Sequence, residues 1–512
     1  NYTSQAKVEM TENGPIYARL TDGTNYGPTA TGNVGNIDKI LPTGSGIVSM
    51  ESQSAKEATI KITATDRESG IASITNKTTN FIRKENDTTY KITKNGTFEF
   101  NVTDKAGNTN TITVKVEEFL WEETTTSDSE WYSYNDVSNG DKKVKVNTPK
   151  LAGNMKAIKY TGPEVNSQTG SKWANAMTSD GSMFVWIPRY AYKITEGYHT
   201  NQAGTIEVAF IDTSNKFLNG ETGEITTNVE DPEAGKSKWL VHPAFTSNAE
   251  AGGGFGEIPG IWVGKFEATG VYSNGDASKV SVKPGAISLR NMTVNQQYKA
   301  GMKATYGESV NLNSHMAKNS EWGATVYLAH SKYGANKKKV EQNTNSSYYT
   351  GGTNTVEEIY TTNKAQSTTH NATGVYDLNG GAFESTASYI NNGNMQLGIT
   401  GGRNEGDLYG ATYQEQGIST KYKTVYVSSD ILQTDYQTAG RKYKGDAIYE
   451  TSSTYSNQNG TWFRGYGAFP SKQSPFFDRG RMYSDPSTSI FCFGSNAGNA
   501  LGHYSYRSAL VI

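Results

Sequence analysis

The sequence predicts a two-part chain, an all-β N-terminal region followed by a large α+β domain. Three observations predict it. A chain of 512 residues exceeds what one ordinary core organises, so two or more domains are expected. The 54 Gly, and 32 Tyr against 17 Phe, suit short strands and frequent turns better than helix bundles. Hairpin signals recur as an internal repeat before residue 119, whereas longer apolar runs and one helical pattern follow later.

The composition also narrows the function classes. A formal net charge of −2 leaves no basic footprint for nucleic acid. Cys492 is the single cysteine, so no intrachain disulfide forms. No run of about 18 apolar residues occurs, so no membrane span is expected. With no signal peptide and no initiating Met, a processed or trimmed N-terminus is expected.

The repeat comes first along the chain. Residues 9–38 (EMTENGPIYARLTDGTNYGPTATGNVGNID) align with residues 91–118 (KITKNGTFEFNVTDKAGNTNTITVKVEE). Asn13-Gly14 matches Asn95-Gly96, and Thr21-Asp22 matches Thr103-Asp104. Each copy reads as an Asn-Gly turn, an alternating strand, an Asp-started turn and another strand. Before the second copy, ATIKITATDRESGIASI (58–74) alternates apolar and polar residues and breaks at Ser69-Gly70. Residues 39–118 therefore read as a complete small β-sandwich. With VTDKAGN (102–108), they resemble the bacterial immunoglobulin-like repeats of surface proteins. Residues 1–38 hold only the C-terminal half of such a repeat. A cut there is favoured over strand donation from another chain, which would give self-assembly through the incomplete repeat. Residues 119–143 read as a polar linker whose Trp121, Trp131 and Tyr132 dock on a neighbouring domain.

Four landmarks mark the domain at 144–512. In KWANAMTSDGSMFVWIPRYAYKI (172–194), Met183–Ile187 is an apolar run stopped by Pro188, which predicts a buried strand. IPGIWVGKFEATG (258–270) predicts another strand carrying Ile261, Val263 and Phe266. In HMAKNSEWGATVYLAHSKYG (315–334), Met316, Trp322, Ala324, Val326, Tyr327 and Leu328 fit one helical face, ended by Gly334. GVYDLNGGAFESTAS (374–388) is a Gly-rich turn leading to an aromatic residue and a buried acid.

With the ending YRSALVI, this order resembles the C-type lectin fold in its formylglycine-generating-enzyme-like branch. The family's D-[ML]-x-G-N-x-W-E turn is matched by Asp377 to Glu384, its R-G-G segment by Arg479-Gly480-Arg481, and its F-R-x-x-L strand by Tyr506 to Leu510. Gly381, Phe383 and Arg481 depart from the pattern, where Asn, Trp and Gly are expected. The resemblance implies that the two ends of the domain pair centrally, that Leu510, Val511 and Ile512 are core, and that Arg507 enters a buried hydrogen-bond network. Members of the fold often hold calcium through the Asn and Glu of the turn. With Gly381 at the Asn position only Glu384 remains, a weak candidate for a structural calcium ion. No other cofactor is expected.

Catalytic motifs are weak. The formylglycine-generating oxidase needs two nearby cysteines for copper, and Cys492 stands alone. That alternative is disfavoured, and no enzyme is expected. AGKS (234–237) lacks the leading Gly of a phosphate loop, Glu230 standing there, and Asp231 and Glu233 repel phosphate. The six histidines show no zinc spacing. His242 reads as structural, whereas His503 is positioned to touch a ligand.

The decisive compositional signal lies in residues 478–512, which contain no Lys, Glu, Gln or Trp and one Met, Met482. None of these five residue types has a codon ending in a pyrimidine. The residues present, Met482 apart, all do. Randomising the adenines of AAC or AAT codons produces such an alphabet. The chain thus resembles the variable proteins of diversity-generating retroelements, which carry a C-type lectin fold with variable positions near the C-terminus and an invariant last strand. Tyr, Ser, Asn and Gly also suit adaptable binding surfaces. The candidate variable, ligand-contacting residues are Met482, Tyr483, Ser484, Asp485, Ser487, Thr488, Cys492, Gly494, Ser495, Asn496, Gly502, His503 and Tyr504. Trp462, Phe463, Arg464 and Tyr466 flank them, while Phe491 and Phe493 point inward. These expectations describe an extracellular ligand-binding protein of a bacterial surface or phage particle. Its partner is a protein or glycan, with protein favoured because the sugar motifs E-P-N and Q-P-D are missing. The structural alternative is a filament, pilus or tail-fibre subunit.

Overall fold

The computed structural model describes residues 6–50, 57–78, 82–94, 96–116, 121–124, 134–135, 143–144, 149–160, 172–218, 220–352, 360–393 and 418–512. The chain is mostly β-sheet with few helices. It divides into two units, Asn1–Phe119 and Leu120–Ile512. No helix among the described residues is long and apolar enough to cross a membrane.

In the first unit, the hairpin of β1 (Gly14–Ala18) and β2 (Ala30–Val34) stands before a two-sheet body. The body's strands are β3 (Thr43–Met50), β4 (Ala58–Thr65), β5 (Ile71–Asn76), β6 (Ile82–Lys84), β7 (Thr89–Ile92), β8 (Gly96–Asp104) and β9 (Thr109–Val116). One sheet has the order β3-β4-β7-β6 and the other β5-β8-β9. Alternation decides which side chains enter the core. Phe98, Phe100 and Val102 of β8 are buried, and so are Ile60 and Ile62 of β4. A Cβ on Gly46 of β3 would lie 2.3 Å from Val114 Cγ2, so the two sheets close here only over glycine. The repeat alignment corresponds to real hairpins, since β1 and β8 begin at the matched Gly14 and Gly96. Asp22 Oδ1 accepts Thr24 N and Asn25 N, and Asp104 Oδ1 accepts Asn108 N, so both turns are acid-braced. Asn95 lies outside the described residues. Tyr17 and Tyr26 of the first hairpin are 67% and 72% exposed, unlike the buried aromatics of β8.

Among the described residues the second unit holds two seven-stranded sheets, one four-stranded sheet and two two-stranded ones. The first large sheet runs Trp121–Thr124, Lys156–Tyr160, Asn175–Met177, Met183–Pro188, Gly260–Gly264, Ser508–Leu510, His315–Met316, antiparallel throughout. The expected linker is corrected by this order, because residues 121–124 pair with 156–160 inside the large unit. Trp131 and Tyr132 lie outside the described residues. The expectation that the two ends of the domain pair is also corrected. The strand Ser508–Leu510 lies between Gly260–Gly264 and His315–Met316 instead. Leu510 and Val511 are core, whereas Ile512 is half-buried.

Among the described residues three α-helices accompany the sheets: α1 (Val294–Lys303), α2 (Asn319–His330) and α3 (Leu432–Lys442). The helix expected from Met316 onward starts at Asn319, because His315–Met316 completes the sheet edge. Glu321 fixes that start by accepting Lys318 N at 2.8 Å, a capping arrangement. Every residue of α2 is buried, so the helix has no polar face and the one-sided reading fails. The run Met183–Pro188 is buried throughout, as a strand covered on both faces requires.

The second large sheet carries the candidate segment. Its order is Thr424–Tyr426, Phe383–Ile390, Phe476–Arg479, Phe493–Asn496, Gly465–Ala468, Ser456–Thr461, with Tyr504–Tyr506 pairing parallel to Phe383–Ile390. Residues 480–492 and 497–503 thus leave and re-enter one sheet, on either side of the strand Phe493–Asn496.

Candidate functional site

Gly480 (φ 82°) and Arg481 (φ 71°) turn the chain out of the strand Phe476–Arg479. The outgoing loop is held by its backbone. Gln342 Nε2 donates to the carbonyls of Met482, Tyr483 and Asp485 at 3.0, 3.0 and 3.1 Å. Tyr483 N donates to Gly381 O at 2.9 Å. On the returning side, Phe383 N donates to His503 O at 2.9 Å and Arg290 Nη1 donates to Gly502 O. Most of this anchoring is to main-chain groups, with one brace from a loop side chain, Asp485 Oδ2, which accepts from Met482 N at 3.2 Å.

The side chains form one connected surface. The Tyr348 and Tyr483 rings meet edge to face at 5.2 Å, and the Arg290 guanidinium lies 3.9 Å from the Tyr348 centroid. Tyr504 stacks on Phe383 at 5.1 Å, with the His503 ring 4.8 Å from Tyr504. Arg481 lies over both Phe383 (4.8 Å) and Tyr466 (4.1 Å), and its Nε is 3.1 Å from Asp485 Oδ2. Burial, and then the charge of Arg290, lower the His503 pKa.

The structure gathers Met482, Tyr483, Asp485, Gly502, His503, Tyr504 and Tyr466 into this surface. Ser484 and Arg464 are exposed and Ser487 is half-buried. Several other expected positions are corrected. Thr488, Cys492, Gly494 and Asn496 are buried, at 3%, 0% and 6% exposure for the three with side-chain values, with Cys492 packed close to Gly465 and Gly494 close to Asp478. Ser495 lies opposite Phe477, on the other side of the strand from Gly494. Trp462 is core, its Nε1 donating to Gly197 O at 3.0 Å, and Phe463 stacks on Phe491 away from the surface. Phe491 and Phe493 are buried as expected.

Glu384 is also corrected as a calcium candidate. Both its oxygens accept from Arg507, through Nε to Oε2 at 2.9 Å and Nη2 to Oε1 at 2.5 Å. The departure at Gly381 has a steric cause, since a Cβ there would lie 2.5 Å from Glu267 Oε1. In the first unit, Asp38, Asp66 and Asp104 converge with ligand atoms within 4.8 Å of one another. Each is already a local acceptor: Asp38 from Ile40 N, Asp66 from Ser69 N and Gly70 N, Asp104 from Asn108 N. His242 is structural, its Nε2 lying 2.8 Å from Gly445 O within an aromatic cluster.

Arg290, Gln342 and Tyr348 left no sequence signal, because only the fold brings them beside residues 481–504. Phe383 and Arg481 did leave one, as departures from the turn and R-G-G patterns. No family model matches the chain. No curated protein matches it.

Beneath the surface sits Asp478, 2% exposed, with no hydrogen-bond donor to its Oδ1. Burial pushes its carboxyl from 3.8 up to about 7, against the pull of Arg481 and Arg479. Between about pH 4 and 7 the folded protein keeps a proton that the unfolded chain has released. Stability therefore falls as pH rises through that window and levels off above it, by about 1.4 kcal/mol per pH unit at most for one group. In Asp478→Asn this contribution is gone, so the variant gains on the parent protein as pH rises from 4.5 to 7. Denaturant melts across that range check it, and a stability difference independent of pH would refute the assignment.

Proposed function

We propose that the chain is a non-enzymatic, surface-displayed ligand-binding protein whose binding surface is diversified by a retroelement. In this reading the second unit is a C-type lectin fold of the formylglycine-generating-enzyme-like branch, and the first carries immunoglobulin-like repeats. The location is extracellular, on a bacterial surface or phage particle, and the partner is a protein. One observation carries the reading. The loop whose composition matches pyrimidine-ending codons is the loop whose backbone is anchored by outside residues while Tyr483, Ser484, Asp485, His503 and Tyr504 are left at the surface. Rigid presentation of Tyr and small polar residues is how adaptable paratopes gain contact area at low entropy cost.

Deep sequencing of the gene's 3′ end in a source population tests it. Variation concentrated at codons 482–485, 487 and 502–504, with 506–512 constant, is the expected pattern. An invariant 3′ end would refute diversification. The exposed β1–β2 hairpin supports a second reading, a filament or tail-fibre subunit. Electron microscopy of the purified protein discriminates, with uniform unassembled particles counting against that reading.

A further inference from the structure

Arg290 belongs to this surface but not to the compositionally biased segment, from which it is far removed in sequence. It sits between the strand Asp276–Ser281 and α1. One face of its guanidinium is set by the Tyr348 ring at 3.9 Å, and its Nη1 holds the Gly502 carbonyl. A planar guanidinium fixed in this way keeps a donor edge in a defined direction. Its charge is not balanced locally. Arg481, the other cation of the surface, has Asp485 at 3.1 Å, whereas no carboxylate pairs with Arg290 among the described residues. Burial, and then Arg290 itself, disfavour a second positive charge on the neighbouring His503.

We infer that Arg290 is a fixed anion anchor, which receives an Asp or Glu side chain of the protein ligand beside Tyr348 and Tyr483. The inference rests on the binding-surface reading and adds to it a constant feature of the ligand. Changes within residues 482–504 alter which protein is bound, while the acidic contact stays common to all versions. A protein partner fits better than a glycan, since the surface is lined by Tyr348, Tyr483, His503 and Tyr504, and Glu384, the acid considered for calcium, is occupied by Arg507.

The test is selection from a phage-displayed random peptide library on the full chain, on Arg290→Lys and on Arg290→Glu, with melting curves for each. Peptides from the parent protein and from Arg290→Lys should be enriched in Asp and Glu. Those from Arg290→Glu should shift toward Lys and Arg, a reversal that a mere loop brace would not produce. A peptide selected on the parent protein should bind Arg290→Glu at least about tenfold more weakly, and its affinity for the parent protein should fall with added salt. Should Arg290→Glu fail to fold, the acidic enrichment and its salt dependence on the parent protein decide alone. Binders that lose affinity in Tyr483→Ala but show no acidic excess would overturn the anchor and leave the binding surface standing. No enrichment on any version would overturn both.

Discussion

Replacing Arg507 by Met should destabilise the second unit by about 3–5 kcal/mol, the cost of breaking a buried ion pair from one side. Arg507 is 1% exposed, and four of its five N–H donors are engaged. Nε and Nη2 donate to Glu384, Nη1 to Gly264 O at 2.8 Å and Nη2 also to Tyr376 O at 2.9 Å. These bonds tie the strand Gly260–Gly264, the turn at Tyr376 and the strand Phe383–Ile390 to one side chain. Burial already pushes the Glu384 carboxyl up to about 7, with Arg507 pulling the other way. Without Arg507, Glu384 takes up a proton and the two carbonyls lose their donors. The double variant Glu384→Gln/Arg507→Met should recover part of the loss, because no uncompensated charge remains. Urea melts followed by circular dichroism measure both. A single variant within about 1 kcal/mol of the parent protein would show that the network does not hold the strands together.

Cys492→Tyr should yield little folded protein, whereas Ser484→Tyr should be neutral within about 0.5 kcal/mol. Both changes stay within the codon alphabet of the loop, so they separate position from chemistry. Cys492 is 0% exposed, and a Cβ on Gly465 would already lie 2.6 Å from its Sγ. A phenol ring there has no space, and overpacking costs about 1–3 kcal/mol or more. Ser484 faces solvent on a loop whose carbonyls are held by Gln342. Gly494 should behave like Cys492, since a Cβ there would lie 2.4 Å from Asp478 Oδ1. Soluble yield and melting temperature are the readouts. A well-folded Cys492→Tyr would return that position to the variable set.

The contrast between these positions shows what the sequence could reveal. The codon signal is a property of a contiguous segment, so it marked residues 478–512 without separating faces. Alternation could do that for Phe491 and Phe493, whose bulk marks an interior face. It failed for Thr488, Cys492, Gly494 and Asn496, which are small or polar yet buried. The helix α2 was legible as a helix, but a helix buried on every side has no amphipathic edge to place its first residue, and Met316 was drawn into it. Arg507 was legible because an Arg inside an apolar closing strand needs partners. Arg290 and Gln342 were not, since nothing local in their sequence encodes a contact with a distant loop.

The position of Ser508–Leu510 between two other strands makes closure of the sheet depend on translation through the loop before it. A ribosome must read through codons 482–504 before it can supply the strand that joins Gly260–Gly264 to His315–Met316. A frameshift in the loop therefore removes the middle of the sheet, and the product is an unfolded chain for proteases to clear. Under the proposed diversification, mutagenesis confined to pyrimidine-ending codons would fit this arrangement, because all stop codons end in a purine. On that proposal every in-frame version reaches the strand Ser508–Leu510, and only versions that close the sheet fold.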